Sequence, residues 1–165
     1  MVLTRAASPS ERTQFDQTFL AMQPRLLRLC ARLAGAGAAE DLVHETYLRG
    51  RSRLAQLRDS SLLEAWLTRI AVNACHNHRR GAERTTTSAW DRPGSNPTAT
   101  NRDVGLMELV ERLPPRDRTV LVLFYGYGYD LREIGDLLSI THANARSILS
   151  RTRRHLARAV RSTES

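Results

Sequence analysis

Apolar residues recur at helical spacing, with breaks, from the N-terminal part of the chain to Arg80, and the pattern predicts helices over about 12–22, 25–34, 38–54 and 62–80. Residues 1–13 are polar and are expected to fray. Gly35 and Gly37 separate the second and third segments, as fits a helix that must end in a left-handed residue. The run Arg58, Asp59, Ser60, Ser61 separates the third and fourth, with Ser60 or Ser61 available to cap the next helix. Leu42, Val43, Thr46 and Gly50 share one side of the third segment and are assigned to the core. Trp66, Ile70, Asn73 and Asn77 form a mixed row on the fourth.

From Gly81 to Asp103 the periodicity disappears and Thr, Ser, Pro, Gly and Asn accumulate, so this stretch reads as a linker. A second helical block follows over about 104–161. Its β-leaning run, TVLVLFYGYGY, begins with a spacing that suits a helix equally well, and strand signals are otherwise scarce. The expected fold class is all-α, with two small helical domains at 1–80 and 104–165 and a flexible linker at 81–103.

Within the second block, DLREIGDLLSITHANARSILSRTRRHL has the grammar of two short helices joined by a tight turn. Asp130 can cap the first helix while Glu133 reaches back to the cap amide. Leu131, Ile134 and Leu138 fall on one face, and Gly135 sits where the two helices would approach most closely. Ser139, Ile140 and Thr141 make the turn, and Thr141 caps the second helix. Ala145, Leu149, Thr152 and Leu156 form its buried stripe. His142, Arg146, Ser147, Ser150, Arg151, Arg153 and Arg154 point elsewhere. A basic helix face is most often simply solvated; the capped first helix, the small residue, the short turn and the basic outer face together favour a recognition helix. Such a helix needs donors for base edges and phosphates, and arginine supplies both.

Composition sharpens this. The 165 residues carry a formal charge of +8, which suits a polyanionic partner. All 25 basic residues are arginine, which reads first as codon usage in a GC-rich genome and second as bidentate phosphate chemistry. Two cysteines, Cys30 and Cys75, do not make a disulfide framework, and no apolar run or N-terminal apolar core marks a membrane span or signal peptide. The expected location is the cytoplasm. Cys75, His76 and His78 raise the question of a metal, but His76 and His78 lie two apart on diverging helix faces, and Cys75 with His78 gives only two ligands. Neither metal nor cofactor is expected. No Gly-rich phosphate loop, nucleophile elbow or HExxH occurs, so catalysis by this chain alone is not expected.

The first block carries the second informative stretch, AEDLVHETYLRG, where Asp41 and Glu45 lie four apart beside His44 in a chain of net positive charge. That spacing fits an i,i+4 repulsion tolerated by solvent, a pair of helix-start carboxylates favoured by the dipole, or a docking patch for a basic partner, and physics alone ranks docking below the solvated reading. At this point the chain resembles the RNA polymerase sigma factors of the extracytoplasmic-function (ECF) group. AEDLVHETYLRG resembles the polymerase-binding helix of sigma region two, and AWLTRIAVNACHNHRR its promoter-melting, minus-ten-reading helix. LPPRDRTVLVLFYGYGYDLREIGDLLSITHANARSILSRTRR resembles region four. The three occur in family order, with no room in the linker for a globular region three.

The resemblance implies a non-enzymatic transcription initiation factor that binds core RNA polymerase and promoter DNA. Asp41, His44 and Glu45 would face the clamp helices of the largest polymerase subunit; His44 stands where glutamine is usual, a change that would weaken that contact or make it pH-sensitive. Arg58, Asp59, Ser60 and Ser61 match the loop that captures a base flipped from the minus-ten element, and Asn73 matches a DNA-contacting position. Arg79 and Arg80 suit nearby duplex phosphate. Arg146, Ser147, Ser150 and Arg151 match positions that read the minus-thirty-five element, with His142 and Arg154 flanking them. Ser139 stands where glycine is frequent, Asn144 and Ala145 replace a common Thr-Val pair, and Ile148 replaces a frequent arginine. Family members are commonly held inactive by an anti-sigma factor. An autonomous helix-turn-helix regulator, binding duplex DNA without polymerase, is the competing reading.

Overall fold

The computed structural model describes residues 5–85 and 105–163, and its contacts cluster in two compact units, Met1–Asn77 and His78–Ser165. In the first unit α1 spans Pro9–Ala34 and α2 Ala36–Arg53, with single 3₁₀ turns at Leu54–Gln56 and Ser60–Leu62, and α3, Leu63–Thr85, belongs to it up to Asn77. The second unit contains α4 (Leu106–Glu111), α5 (Pro115–Leu121, continued by a π-helical turn at Val122–Gly126), α6 (Leu131–Leu138) and α7 (His142–Thr163). Every regular element among the described residues is helical. The ambiguous TVLVLFYGYGY run forms the end of α5 and its π turn, with its last residues in the loop before α6.

Three boundaries differ from the sequence expectation. First, α1 starts at Pro9, inside the stretch expected to fray. Ser8 Oγ accepts from the Glu11 N–H at 3.2 Å while the Ser8 N–H donates to Glu11 Oε2 at 2.7 Å. Pro9 at the first helical position completes this start. Second, α1 runs without a break through Pro24. A proline inside a helix costs about 3 kcal/mol, but Leu20, whose carbonyl loses its partner, is 69% exposed and open to water. Phe15, Phe19 and Met22 before it, and Leu26, Leu29, Cys30 and Leu33 after it, all enter one core. Each such large apolar side chain contributes about 1.5–3 kcal/mol when buried, so the continuous helix wins. Third, α3 continues past Arg80 to Thr85, because glycine is the one poor helix former in Gly81-Ala82-Glu83-Arg84. The expected linker therefore begins as helix; its residues 86–103 lie outside the described residues.

Gly35 turns the chain at φ +98°, which only glycine adopts at low cost, and its N–H closes α1 on Ala31 O at 2.9 Å. Gly37 by contrast is an ordinary residue of α2. The α1–α2 hairpin closes over the rings of Phe15, Phe19 and Tyr47, and the Tyr47 hydroxyl donates to Asp16 Oδ1 at 3.2 Å. Ala39, Leu42, Val43, Thr46 and Gly50 are the buried side of α2. At Gly50 a Cβ would lie 3.0 Å from the Phe15 ring and 3.2 Å from Leu67 Cδ2, so the missing side chain lets three helices meet. Cys30 and Cys75 are fully buried free thiols. The hydrogen bond to Cys30, together with burial, pushes the Cys75 thiol well above its usual range.

In the second unit, Arg118 is buried and donates from Nε to Val110 O at 3.0 Å and from Nη2 to Leu113 O at 3.3 Å, which ties α5 to the C-terminal end of α4. The helix-turn-helix forms as its sequence indicates. Asp130 Oδ1 accepts from the N–H groups of Arg132 and Glu133 at 2.8 and 2.9 Å, and the Asp130 N–H donates to Glu133 Oε2 at 2.7 Å. Ile134 and Leu137 are buried, whereas Leu131 and Leu138 are half-buried. Ser139 closes α6 in the left-handed region at φ 54°. Gly135 is needed because a Cβ there would sit 2.8 Å from the Ile140 carbonyl: the close approach is to the backbone of the turn, not to a side chain of the second helix. Thr141 Oγ1 caps α7 by accepting from the Asn144 N–H at 3.1 Å.

Candidate functional site

The candidate residues lie on three surfaces. On α2 the buried stripe leaves Asp41 and His44 exposed on the opposite side and Glu45 half-exposed at its edge. Glu45 forms an ion pair with Arg49 one turn later, so the two carboxylates Asp41 and Glu45 do not face each other unscreened. Asp41 and His44 thus form the outermost part of an acid-containing face on an otherwise basic protein.

The second surface is the turn before α3 and the outer side of that helix. Asp59, rather than Ser60 or Ser61, caps the turn: its Oδ1 accepts from the Ser61 hydroxyl at 2.7 Å and the Ser61 N–H at 2.9 Å, and these bonds hold its carboxyl below the usual range. Arg58 and Ser60 are exposed beside it, with Leu62 projecting at 55% exposure. Along α3, Ile70 is buried, Trp66 half-buried, and Asn73, Asn77 and Arg80 exposed, so the mixed row passes from core to surface. Arg79 is half-buried at the edge of that face.

The third surface is α7. Ala145, Ile148, Leu149, Thr152 and Leu156 are buried, and His142, Arg146, Ser147, Ser150, Arg151 and Arg154 are all exposed. Ile148, at 3% exposure, is core and not part of the outer face. Arg154 Nε donates to the Ser150 carbonyl at 3.4 Å, and Arg151 Nη2 donates to Asp117 Oδ1 at 3.1 Å. An open groove of about 530 Å³ has Phe124, Leu131 and Leu149 among its apolar lining and Arg146, Arg153 and Arg154 among its polar lining. Sequence reasoning missed Asp117 and Phe124 here. Asp117 lies 34 positions from Arg151, and no local spacing announces such a pair.

Among the described residues no group of three or more His, Cys, Asp or Glu could hold a metal, and no helix is long and apolar enough to cross a membrane. The arrangement offers an acidic helix face, a short polar turn beside an amide-bearing helix, and an arginine-rich helix presented by a fixed turn.

Comparison with known proteins matches both units to one family. Residues 18–85 match the family model of Sigma-70 region 2, and residues 104–156 match that of Sigma-70, region 4. The chain is 28% identical over 161 residues to the ECF RNA polymerase sigma factor SigM of Mycobacterium tuberculosis, covering 94% of this chain and 82% of that one. It is 30% identical over 142 residues to the RNA polymerase sigma factor CarQ of Myxococcus xanthus, covering 80% of each. It spans 32% of one longer relative, a probable sigma factor of Xanthomonas campestris. Its fold is similar to that of the sigma factor RpoE of Bartonella quintana, solved in complex with the anti-sigma factor NepR, with TM-score 0.70, 21% identity, and 89% and 96% of the two chains covered. The chain belongs to the RNA polymerase sigma factors, in their extracytoplasmic-function group. The match to region 2 accounts for the half that an autonomous regulator would need for sensing or dimerisation, so the function is that of an alternative sigma factor.

Proposed function

We propose that the chain acts as a bipartite adaptor in which residues 1–80 dock on core RNA polymerase and help open the promoter, while residues 104–165 hold the upstream element. Asp41, His44 and Glu45 face the clamp helices of the polymerase's largest subunit. Arg58, Asp59, Ser60 and Ser61 receive a base extracted from the minus-ten element, with Asn73, Arg79 and Arg80 on the adjoining DNA. Extraction costs a few kcal/mol of stacking, which contacts in a protein pocket must offset. His142, Arg146, Ser147, Ser150, Arg151 and Arg154 meet the minus-thirty-five element, arginine serving both base edges and phosphates. The polymerase performs the chemistry, and the site of action is the cytoplasm.

The observation that carries this reading is the coexistence in one chain of the exposed acid face on α2 and the capped helix-turn-helix with its outward arginines on α7. An autonomous regulator needs only the second. The deciding experiment is transcription by core polymerase programmed with Asp41→Ala plus Glu45→Ala. Loss of programmed initiation with retained folding is expected; initiation at the wild-type level would make the docking assignment wrong. Genomic transcription by the reconstituted holoenzyme, with mapping of new starts, identifies the promoters.

A further inference from the structure

Among the candidate residues on α7, Arg151 has its guanidinium held from another element. Its Nη2 donates to Asp117 Oδ1 at 3.1 Å. The partners are unequal: the Arg151 side chain is 61% exposed and that of Asp117 only 13%. Asp117 lies in the first turn of α5, where the helix dipole favours a carboxylate. The residues after it, Arg118, Thr119, Val120 and Leu121, are buried, so the backbone that carries the acid is anchored. The acid is therefore the fixed member and the arginine the one being held. Such a pair contributes little to stability when one partner is this exposed. What it does fix is direction. A guanidinium has five N–H donors in a rigid plane, and one bond to Asp117 orients that plane while leaving donors for a second acceptor.

We propose that Asp117 is a positioning residue for promoter reading: it sets the rotamer and plane of Arg151, so base discrimination by α7 depends on an acid that touches no DNA. The inference rests on the reading of α7 as the DNA-facing helix. It also carries a sign that separates it from a simple charge effect. Asp117 bears a negative charge beside a surface meant for phosphates, so removing that charge favours DNA binding in general. Positioning predicts that selectivity falls even as general affinity holds or rises.

The test uses holoenzyme, core polymerase loaded with the full chain, incubated with a duplex DNA library randomised through its central segment; retained DNA is sequenced. Arg151→Ala flattens one upstream position of the recovered motif. Asp117→Ala, which removes the acceptor, is expected to flatten the same position by about tenfold in base preference, the scale of one bidentate arginine contact. Total retention of library DNA stays at or above the wild-type level. The double variant is no flatter than Arg151→Ala alone, and Asp117→Glu restores most of the preference. If Asp117→Ala lowers the melting temperature, Asp117→Ser, which keeps a helix-start acceptor too short to reach Arg151, gives the same readout. Wild-type preference in Asp117→Ala at a position that Arg151→Ala flattens overturns the positioning role and leaves the DNA face intact. No change in any position with Arg151→Ala removes Arg151 from base reading and overturns the proposal, while loss of the motif with Arg146→Ala would keep the reading of α7 itself.

Discussion

Arg118→Met removes the buried guanidinium that joins α5 to α4 while keeping an apolar stem of similar length. Its two acceptors fare differently. Val110 O keeps a backbone bond, since the Leu113 N–H also donates to it at 3.2 Å, and loses only the contact from Arg118 Nε. Leu113 O, bonded by Nη2 in a buried setting, loses that partner. A lost charge-assisted bond is worth about 1.5–3 kcal/mol and an orphaned buried acceptor costs about 1–3 kcal/mol. Relief from burying a cation offsets part of this, and the net expectation is roughly 2–4 kcal/mol of destabilisation. A helical unit the size of residues 105–163 has roughly 3–9 kcal/mol in hand, so the variant would leave the unit bearing α7 folded only marginally at physiological temperature. Hydrogen exchange read by mass spectrometry distinguishes the units: protection should fall across α5–α7 and stay unchanged across α1–α3. Protection of α5–α7 within about 0.5 kcal/mol of wild type, the range of an ordinary surface change, would refute the argument, as would an equal loss in α1–α3.

The remaining predictions concern the same unit. Thr152 is 1% exposed and its Oγ1 has no hydrogen-bond partner among the described residues, so Thr152→Val should raise stability by about 1 kcal/mol, read as a higher melting temperature; a lower one would mean that the hydroxyl is satisfied. Ser139 holds a left-handed backbone at φ 54°, and Ser139→Gly should stabilise by about 0.5–1 kcal/mol, the residue-specific strain less the added freedom of the unfolded chain; urea melts with no increase in midpoint would count against it. The Asp130 carboxyl is held below its ordinary 3.8 by the N–H groups of Glu133 and Arg132. Its contribution is therefore present above the unfolded pKa and is lost as pH falls through the lower folded value. Asp130→Asn, which still caps, should flatten the acid limb of the stability profile below about pH 4, and an unchanged limb would show that Asp130 does not shape it.

The parts of the fold governed by local chemistry were legible in the chain. The Asp130–Glu133 cap, the Thr141 cap, the Gly35 corner and the buried stripes of α2 and α7 follow from rules acting within four residues, and the structure has them. The same rule was present and unread at Ser8–Glu11, where a polar tail concealed a helix start. Pro24 misled because local propensity predicts a break, whereas apolar residues on both sides bury into one core and hold the helix straight through. Asp59 displaced Ser60 and Ser61 as the cap because its carboxylate reaches both the hydroxyl and the amide of Ser61. At the site, spacing indicated which side chains of α7 point outward but not what restrains them. Arg118 to Val110 and Arg151 to Asp117 are contacts between elements, set only when the helices pack.

The space at Gly135 that the Ile140 carbonyl closes to any Cβ has a consequence for the outer face of α7. The angle at which α7 leaves the turn is set backbone against backbone, through Gly135, the left-handed Ser139 and the Ile140 N–H bond to Gly135 O at 2.9 Å. None of the outward side chains of α7 takes part in that joint. The outer face is thus an interchangeable cassette on a fixed mount: His142, Arg146, Ser147 and Ser150 can be exchanged for other residues without altering the helix's exit from the turn. On the proposed reading of α7, new upstream specificities should therefore be reachable by grafting outer faces onto this turn, one recognition alphabet at a time.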